Sequence, residues 1–379
     1  MVGVDVVRGG FLIAFLASVG WFTAPAWFEH APWAGIHPID LVFPAFVTLT
    51  GVGLALAHRS GVRTRTTLAQ VGRRCLVLLV VGLAYNAHAQ LMTTGRYDAY
   101  TLRWTGVLQL FALVTAAVTA LHLVLRGPWA WAVCCAALAA AYTAYLIGFA
   151  ADCPGAALTP ACNPSGTLDP AVFGAAHVYR QGAAGHDPEG LPSILGALVS
   201  AAAGATGGHV LRAFGDRSGW RGRVRRGAVL LATAAGCLML AWVTEPLVVT
   251  TKRLWTPPFA ATVAAGVLVV IAIAHLLLDR NPPGDRAPTG TAVARWPARE
   301  LRWTLTALGR NSLLVYFGAQ GLMTTLVSRP LGADASWAER LAERVAIGGN
   351  PALGFVLALV TAFTALTAVL HWRHIYLRP

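Results

Sequence analysis

The stretch WFEHAPWAGIHPIDLVFP, Trp27 to Pro44, places two imidazoles and two carboxylates (Glu29, His30, His37 and Asp40) on a short segment between apolar runs. Ionisable groups at the edge of hydrocarbon are costly, and ordinarily face a bundle interior or a wet cavity. A histidine held by a carboxylate can take a proton from an amine or hydroxyl as it attacks. Imidazole titrates near neutrality, and the carboxylate fixes its tautomer. Two further segments carry related chemistry: HDPEG, with Asp187 and Glu189 after His186, and the region of Glu245 and TKRLWTPPF, with Lys252 and Trp255. The bland alternative stands beside this one. An interfacial histidine is commonly a hydrogen-bonded bystander, and Trp33 and Trp255 fit the aromatic belts that anchor membrane proteins. No Ser/His/Asp signature or Gly-rich phosphate loop accompanies these residues. His30, His37, Asp40 and Asp187 lack the compact spacing of metal ligands, so no metal is expected.

The elements that must position these residues are membrane helices. The 379 residues are 56% hydrophobic and 12% charged, with a mean hydropathy of +0.60. A soluble domain carries roughly a quarter charged residues. The apolar residues come in runs of about twenty, the length of a helix that crosses a bilayer. The spacing predicts an all-α, polytopic integral membrane bundle with spans near 10–29, 38–57, 75–90, 104–125, 129–150, 191–211, 227–249, 258–278, 304–327 and 351–371. Arg8, the run GGFLIAFLASVG and the pattern Ala24-Pro25-Ala26 also resemble a signal peptide. Asp5 and the many later spans favour a retained first helix.

An even number of spans puts both termini on one side. Lys and Arg crowd the loops on the N-terminal side, including Arg59, Arg73, Arg74 and the run RSGWRGRVRR, which predicts N-in and C-in. The net charge of +13 is then a topology signal with contact to anionic lipid, and nucleic acid is not expected. Under this orientation the three His, Asp, Glu and Lys segments share the outer face. Cys153 and Cys162 lie in an outside loop, 151–190, where an oxidising compartment admits a disulfide. Closing so short a loop contributes about 2–3 kcal/mol by chain entropy.

The inside stretch 279–303 reads as a flexible Pro-, Gly- and Arg-rich connector. Ser336 and Glu339 form a capping box, followed by an apolar stripe of Trp337, Leu341 and Val345 suited to lying flat on the outer interface. Few loops are large enough to fold alone, so residues 1–379 read as one domain. A transporter or flippase and a structural membrane protein remain alternatives to an enzyme. Midplane charges on broken helices would favour transport, whereas here the polar groups crowd the outer face.

Several segments occur in the order of a known family: VDVVRGGFLIAF, HAPWAGIHPIDLVFPAFVTLTGVGLAL, RWTGVLQLFAL, HDPEGLPSILGALVSAAAGATGGHVL, RLWTPPF and GRNSLLVY. From about Asp5 to Tyr316 the chain resembles heparan-α-glucosaminide N-acetyltransferase and its bacterial relatives, within the transmembrane acyltransferase superfamily. That family moves an acetyl group from cytoplasmic acetyl-CoA to a glucosamine amine across a membrane. Its catalytic histidine falls on His30 and a nearby aspartate on Asp40, while His37 has no counterpart.

The resemblance implies an acyl-CoA-dependent N- or O-acyltransferase, with His30 as general base or acyl carrier and Asp40 orienting it. Trp33, Asp187, Glu189, Glu245, Lys252 and Trp255 would then line the site of an amino-sugar or glycan acceptor. The phosphates of CoA call for cytoplasmic-side cations, here Arg8, Arg73, Arg74 and Arg310, with Asn311 beside the last. Cys153 and Cys162 fit the family's lumenal loop. The Ala- and Arg-rich composition points to a bacterial plasma membrane, where heparan is not the expected acceptor; a homodimer is compatible with this reading. Two positions depart from the family: Ser18 or Val19 stands where an Asn is common, and Leu110 where an Arg follows GVLQ. Both bear on how the donor is handled.

Overall fold

The computed structural model describes residues 2–21, 26–57, 65–213, 220–279, 292–328 and 335–377. Among them the chain forms thirteen α-helices and no β-strand. In chain order these are α1 (Val2–Gly20), α2 (Val42–Ala57), α3 (Arg65–Thr94), α4 (Val107–Leu121), α5 (Gly127–Ala151), α6 (Pro164–Phe173) and α7 (Leu191–Ala213). There follow α8 (Trp220–Thr244), α9 (Pro257–Leu278), α10 (Ala292–Arg310), α11 (Ser312–Val327), α12 (Trp337–Arg344) and α13 (Pro351–Trp372). Eight helices are long and apolar enough to cross a membrane (α1, α2 with its leading turn, α3, α5, α7, α8, α9 and α13), and α4 and α11 are shorter apolar helices. The chain is a polytopic membrane helix bundle.

Several boundaries differ from the apolar runs, each for a physical reason. The first helix begins at Val2, well before position 10, although it starts with two charges. Those charges are paired: Arg310 Nε donates to Asp5 Oδ2 at 3.2 Å, and Arg8 Nη1 lies 3.9 Å from Asp5 Oδ1. The third helix starts at Arg65, because polar residues prolong it beyond its apolar run. The segment read as one span, 304–327, is interrupted at Asn311. There the side chain donates to the Ala307 carbonyl and accepts from Leu377 N–H, both at 3.2 Å. In the stretch read as a flexible connector, residues 280–291 lie outside the described residues, and the chain is helical from Ala292. Ala24 and Pro25 of the signal-like pattern also lie outside them.

By its contacts the chain divides into two compact units. The first comprises Met1–Glu29, His88–Arg96 and Ile273–Arg378. In it, α1 packs on α10, α11 and α13. Glycines let α1 and α10 meet backbone to backbone: a Cβ at Gly9 would stand 2.0 Å from the Leu305 carbonyl oxygen. The capping box of α12 is formed, with Ser336 N–H donating to Glu339 Oε2 at 2.6 Å and Glu339 N–H to Ser336 Oγ at 3.2 Å. Ala338 and Ala342 face inward, while Trp337, Leu341 and Val345 stay exposed.

The second unit comprises His30–Ala87 and Tyr97–Ala272, with α7 at its centre against α2, α4, α5 and α8. About half of α7 is Gly, Ala and Ser, and most of the helix is buried. In lipid, small residues drive helix association by letting backbones approach. A Cβ at Gly51 of α2 would lie 1.9 Å from the Ala201 carbonyl oxygen, and one at Gly204 of α7 2.0 Å from that of Thr48. This α2–α7 pair anchors the polar cluster, because the turn that leads into α2 carries Asp40.

Candidate active site

Asp40 lies in a short 3-10 turn, Pro38–Leu41, opened by proline. Its carboxylate reaches back to the turn's first backbone donor: Oδ2 accepts from His37 N–H at 3.0 Å, while Asp40 N–H donates to the His37 carbonyl at 2.9 Å. An acidic residue at the third position of such a turn satisfies a donor that the turn leaves free. The same Oδ2 accepts from Ala31 N–H at 3.1 Å. The other oxygen, Oδ1, accepts from His30 Nδ1 at 2.7 Å and lies 3.3 Å from Lys252 Nζ. Four donors meet a carboxylate that is 1% exposed, which matches its capacity and keeps a buried charge paired.

The contact with Asp40 fixes the His30 tautomer. A carboxylate only accepts, so an approach of 2.7 Å requires the proton on Nδ1. The Lys252 ammonium is also 3.1 Å from Nδ1, but it only donates and is therefore held by Asp40. In the neutral ring the lone pair is then on Nε2. No described residue bonds it, and the side chain is 43% exposed.

Lys252 reaches this point from the α8–α9 connection, which is stitched to the His30 segment. Gly35 N–H donates to the Thr250 carbonyl at 2.8 Å, and Arg253 Nη2 to that of Ala31 at 3.4 Å. Gly35 adopts φ +98°, a turn that suits glycine. Burial pushes the Lys252 ammonium below its usual range, and the carboxylates of Asp40 and Glu189 partly restore it. Trp33 fastens the segment to the 151–190 loop: its Nε1 donates to the Leu158 carbonyl at 3.0 Å, and its ring meets His186 edge-on at 5.4 Å. Leu158 sits between Cys153 and Cys162, which are joined by a disulfide.

A second charged cluster gathers around Arg103. Its Nη2 donates to Asp187 Oδ1 at 2.5 Å and to Glu189 Oε2 at 2.7 Å, and its guanidinium lies over the Tyr179 ring. Burial works against the Arg103 charge, but Glu189 and Asp187 hold it above its usual range. Asp187 also accepts from Thr105 Oγ1, from Tyr179 N–H at 2.8 Å and from Glu189 N–H at 3.0 Å. Ser165 Oγ accepts from Asp187 N–H at 2.7 Å and donates to Asp169 Oδ2 at 2.6 Å, and Asp169 Oδ1 accepts from Leu191 N–H at 2.7 Å. Burial pushes the Asp169 carboxyl up to about 6 despite those hydrogen bonds. Asp187, fully occupied and buried, holds the loop together. Glu189 is the partly open member of the pair.

The remaining expected positions make other contacts. Trp255 is buried, with Nε1 donating to Ser200 Oγ at 3.0 Å and its ring against Phe43. Glu245 is exposed, and its carboxylate has no partner among the described residues. Of the cations expected at the donor, Arg8, Arg310 and Asn311 lie in the first unit, and Asn311 is buried with both ends of its amide engaged. Arg73 and Arg74 lie in the second unit with His30. Arg73 is exposed, and Arg74 Nε is buried with no hydrogen-bond partner among the described residues. Leu110 is fully buried, and the Ser18 hydroxyl donates to the Phe15 carbonyl at 2.7 Å.

Arg103, Thr105, Ser165 and Asp169 were not anticipated. Arg103 had a usable signal: it is a guanidinium inside the RWTGVLQ motif. Among the described residues no group of three or more His, Cys, Asp or Glu is arranged to hold a metal ion.

No family model matches the chain. It is similar to heparan-alpha-glucosaminide N-acetyltransferase of Homo sapiens, 22% identical over 385 residues, which covers 83% of this chain and 52% of that protein. The Mus musculus protein of the same name is 22% identical over 384 residues, covering 84% and 53%. The chain is a distant relative of these proteins and spans about half the length of the curated relatives it matches.

Proposed function

We propose that this protein is a membrane-embedded acyltransferase that moves an acyl group, by preference acetyl, from cytoplasmic acyl-CoA to an amino sugar or glycan hydroxyl at the extracytoplasmic face. The observation that carries this reading is the His30–Asp40 pair: Nδ1 is fixed on a buried carboxylate, and Nε2 is left basic on the exposed side. The similarity to proteins named as N-acetyltransferases supports the same class of reaction.

In the reaction, the acceptor amine or hydroxyl attacks the thioester carbonyl while His30 Nε2 removes its proton. The new C–N or C–O bond forms, the C–S bond breaks, and the imidazolium returns the proton to the departing thiolate. Asp40 holds the imidazole in the required tautomer and balances the imidazolium charge. Positioning of donor and acceptor supplies much of the remaining rate. A two-step route, in which Nε2 first takes the acyl group, uses the same atoms. Arg73 and Arg74 are the proposed phosphate contacts, since Arg74 Nε is otherwise an orphaned buried donor. Glu189 and Lys252 are the acceptor-side groups nearest this chemistry. The setting is the bacterial plasma membrane, N-in and C-in.

Incubating the purified protein with labelled acetyl-CoA and a panel of amino sugars tests the reading. Label should appear on at least one acceptor. Failure across all acyl donors and acceptors tested would overturn it.

A further inference from the structure

Within the first unit, α1, α10 and α13 line an open cavity of about 510 Å³. Val2 opens α1 and His371 lies next to the end of α13, so the cavity sits at one end of two apolar spans. That is the level where a membrane helix leaves hydrocarbon for headgroups. On α10, Arg299, Arg302, Thr306 and Arg310 recur at the spacing of one helix face and line the cavity together. Arg310 is engaged, with Nε on Asp5 and Nη1 3.5 Å from the Tyr376 hydroxyl. The Arg299 and Arg302 side chains are exposed, and their guanidinium groups make no hydrogen bond or ion pair with any described residue. The wall beside them is aromatic: the Trp303 ring is 5.1 Å from that of His371, and His371 Nδ1 is 2.9 Å from the Tyr376 hydroxyl. With Arg310 paired to Asp5, Glu300 sets one negative charge against the two remaining guanidinium groups.

We propose that this cavity binds the phosphate of an anionic phospholipid headgroup, with Arg299 and Arg302 as its paired donors. Guanidinium forks match phosphate oxygens in geometry and charge. Cations at this depth are drawn to an anionic leaflet, and a tryptophan there favours the boundary between headgroup and acyl chain. The volume falls within the range of small-molecule sites, roughly 300–1,000 Å³. A soluble phosphate compound offers the same oxygens, but a cavity at the end of two spans favours the lipid. The inference does not depend on acyl transfer.

Native mass spectrometry of the full chain, from nanodiscs of mixed phosphatidylglycerol and phosphatidylcholine, tests it. Arg299→Gln/Arg302→Gln is compared with Arg340→Gln/Arg344→Gln, which removes exposed arginines of α12. Phosphatidylglycerol should be retained over phosphatidylcholine by wild type and control, and retention should fall about tenfold or more in the first variant, the scale of one lost charge-assisted hydrogen bond. Unfolding curves that match wild type show that the loss is local. Isothermal titration with pyrophosphate, in neutral detergent without lipid, is the second arm. Pyrophosphate binding that needs Arg299 and Arg302, without lipid selectivity, would assign the pocket to a soluble phosphate and overturn the lipid source. Retention and binding unchanged in the variant would overturn the site itself.

Discussion

Asp40 uses one carboxylate for two tasks, closing the turn into α2 and fixing the proton of His30. Replacement by Asn keeps the shape, but leaves fewer accepting lone pairs and no charge for the imidazolium. Asp40→Asn should therefore lower the transfer rate by about 10²–10⁴, the range of general-base assistance, with little change in donor affinity. Wild-type affinity with wild-type rate would remove Asp40 from the mechanism.

Asp169 supplies a pH signature. Folded, its carboxyl keeps a proton up to about 6, whereas the ordinary value is 3.8. Between those values the folded state holds the extra proton, so the stability from this group is present at pH 4 and lost as pH rises past 6. In Asp169→Asn the amide can accept from Leu191 N–H and donate to Ser165 Oγ, which then turns its hydroxyl to the Asp187 carbonyl. That variant should be more stable than wild type at pH 8, by roughly 2–3 kcal/mol at most, with the advantage gone at pH 4. Unfolding followed by tryptophan fluorescence at both pH values checks the sign.

The α2–α7 contact is the element on which the site stands. Gly204→Leu would drive a side chain into the Thr48 carbonyl, since a Cβ alone would come within 2.0 Å. Overpacking of this kind costs about 1–3 kcal/mol or more. The variant should unfold at lower temperature and lose activity, because the turn bearing Asp40 moves with α2. Gly236→Ala on α8, where a Cβ meets nothing within 4 Å, should match wild type in both respects. Equal stability of the two variants would show that this contact does not set the packing.

At this scale hydropathy made most helices legible, because hydrocarbon length and apolar composition are local properties. Where the boundaries departed, the cause was distant in sequence. The start of α1 depends on Arg310 neutralising Asp5, and the break at Asn311 on a bond to Leu377. The site divides in the same way. His30 and Asp40 are joined by a local turn and could be read from their segment. Lys252 could be named but not joined to Asp40, and Arg103 could not be joined to Asp187, because those contacts form only when separate loops fold together.

The proposed function requires the whole molecule to present its chemistry at one face and its donor at the other. In a background without the free cysteines, Val124→Cys, in the turn between α4 and α5, should be labelled only from the cytoplasmic side. Ala156→Cys, in the loop between α5 and α7, should be labelled only from outside. Both positions are exposed, so access depends on sidedness. The reverse pattern would place His30 on the donor side and undo the proposed geometry.

The most direct measurement uses proteoliposomes with labelled acetyl-CoA enclosed and an accepted amino sugar outside. Wild-type protein should transfer label to the external sugar. His30→Ala should remain folded and bind donor, yet transfer about 10²–10⁴-fold more slowly. Equal transfer by wild type and His30→Ala would contradict the account.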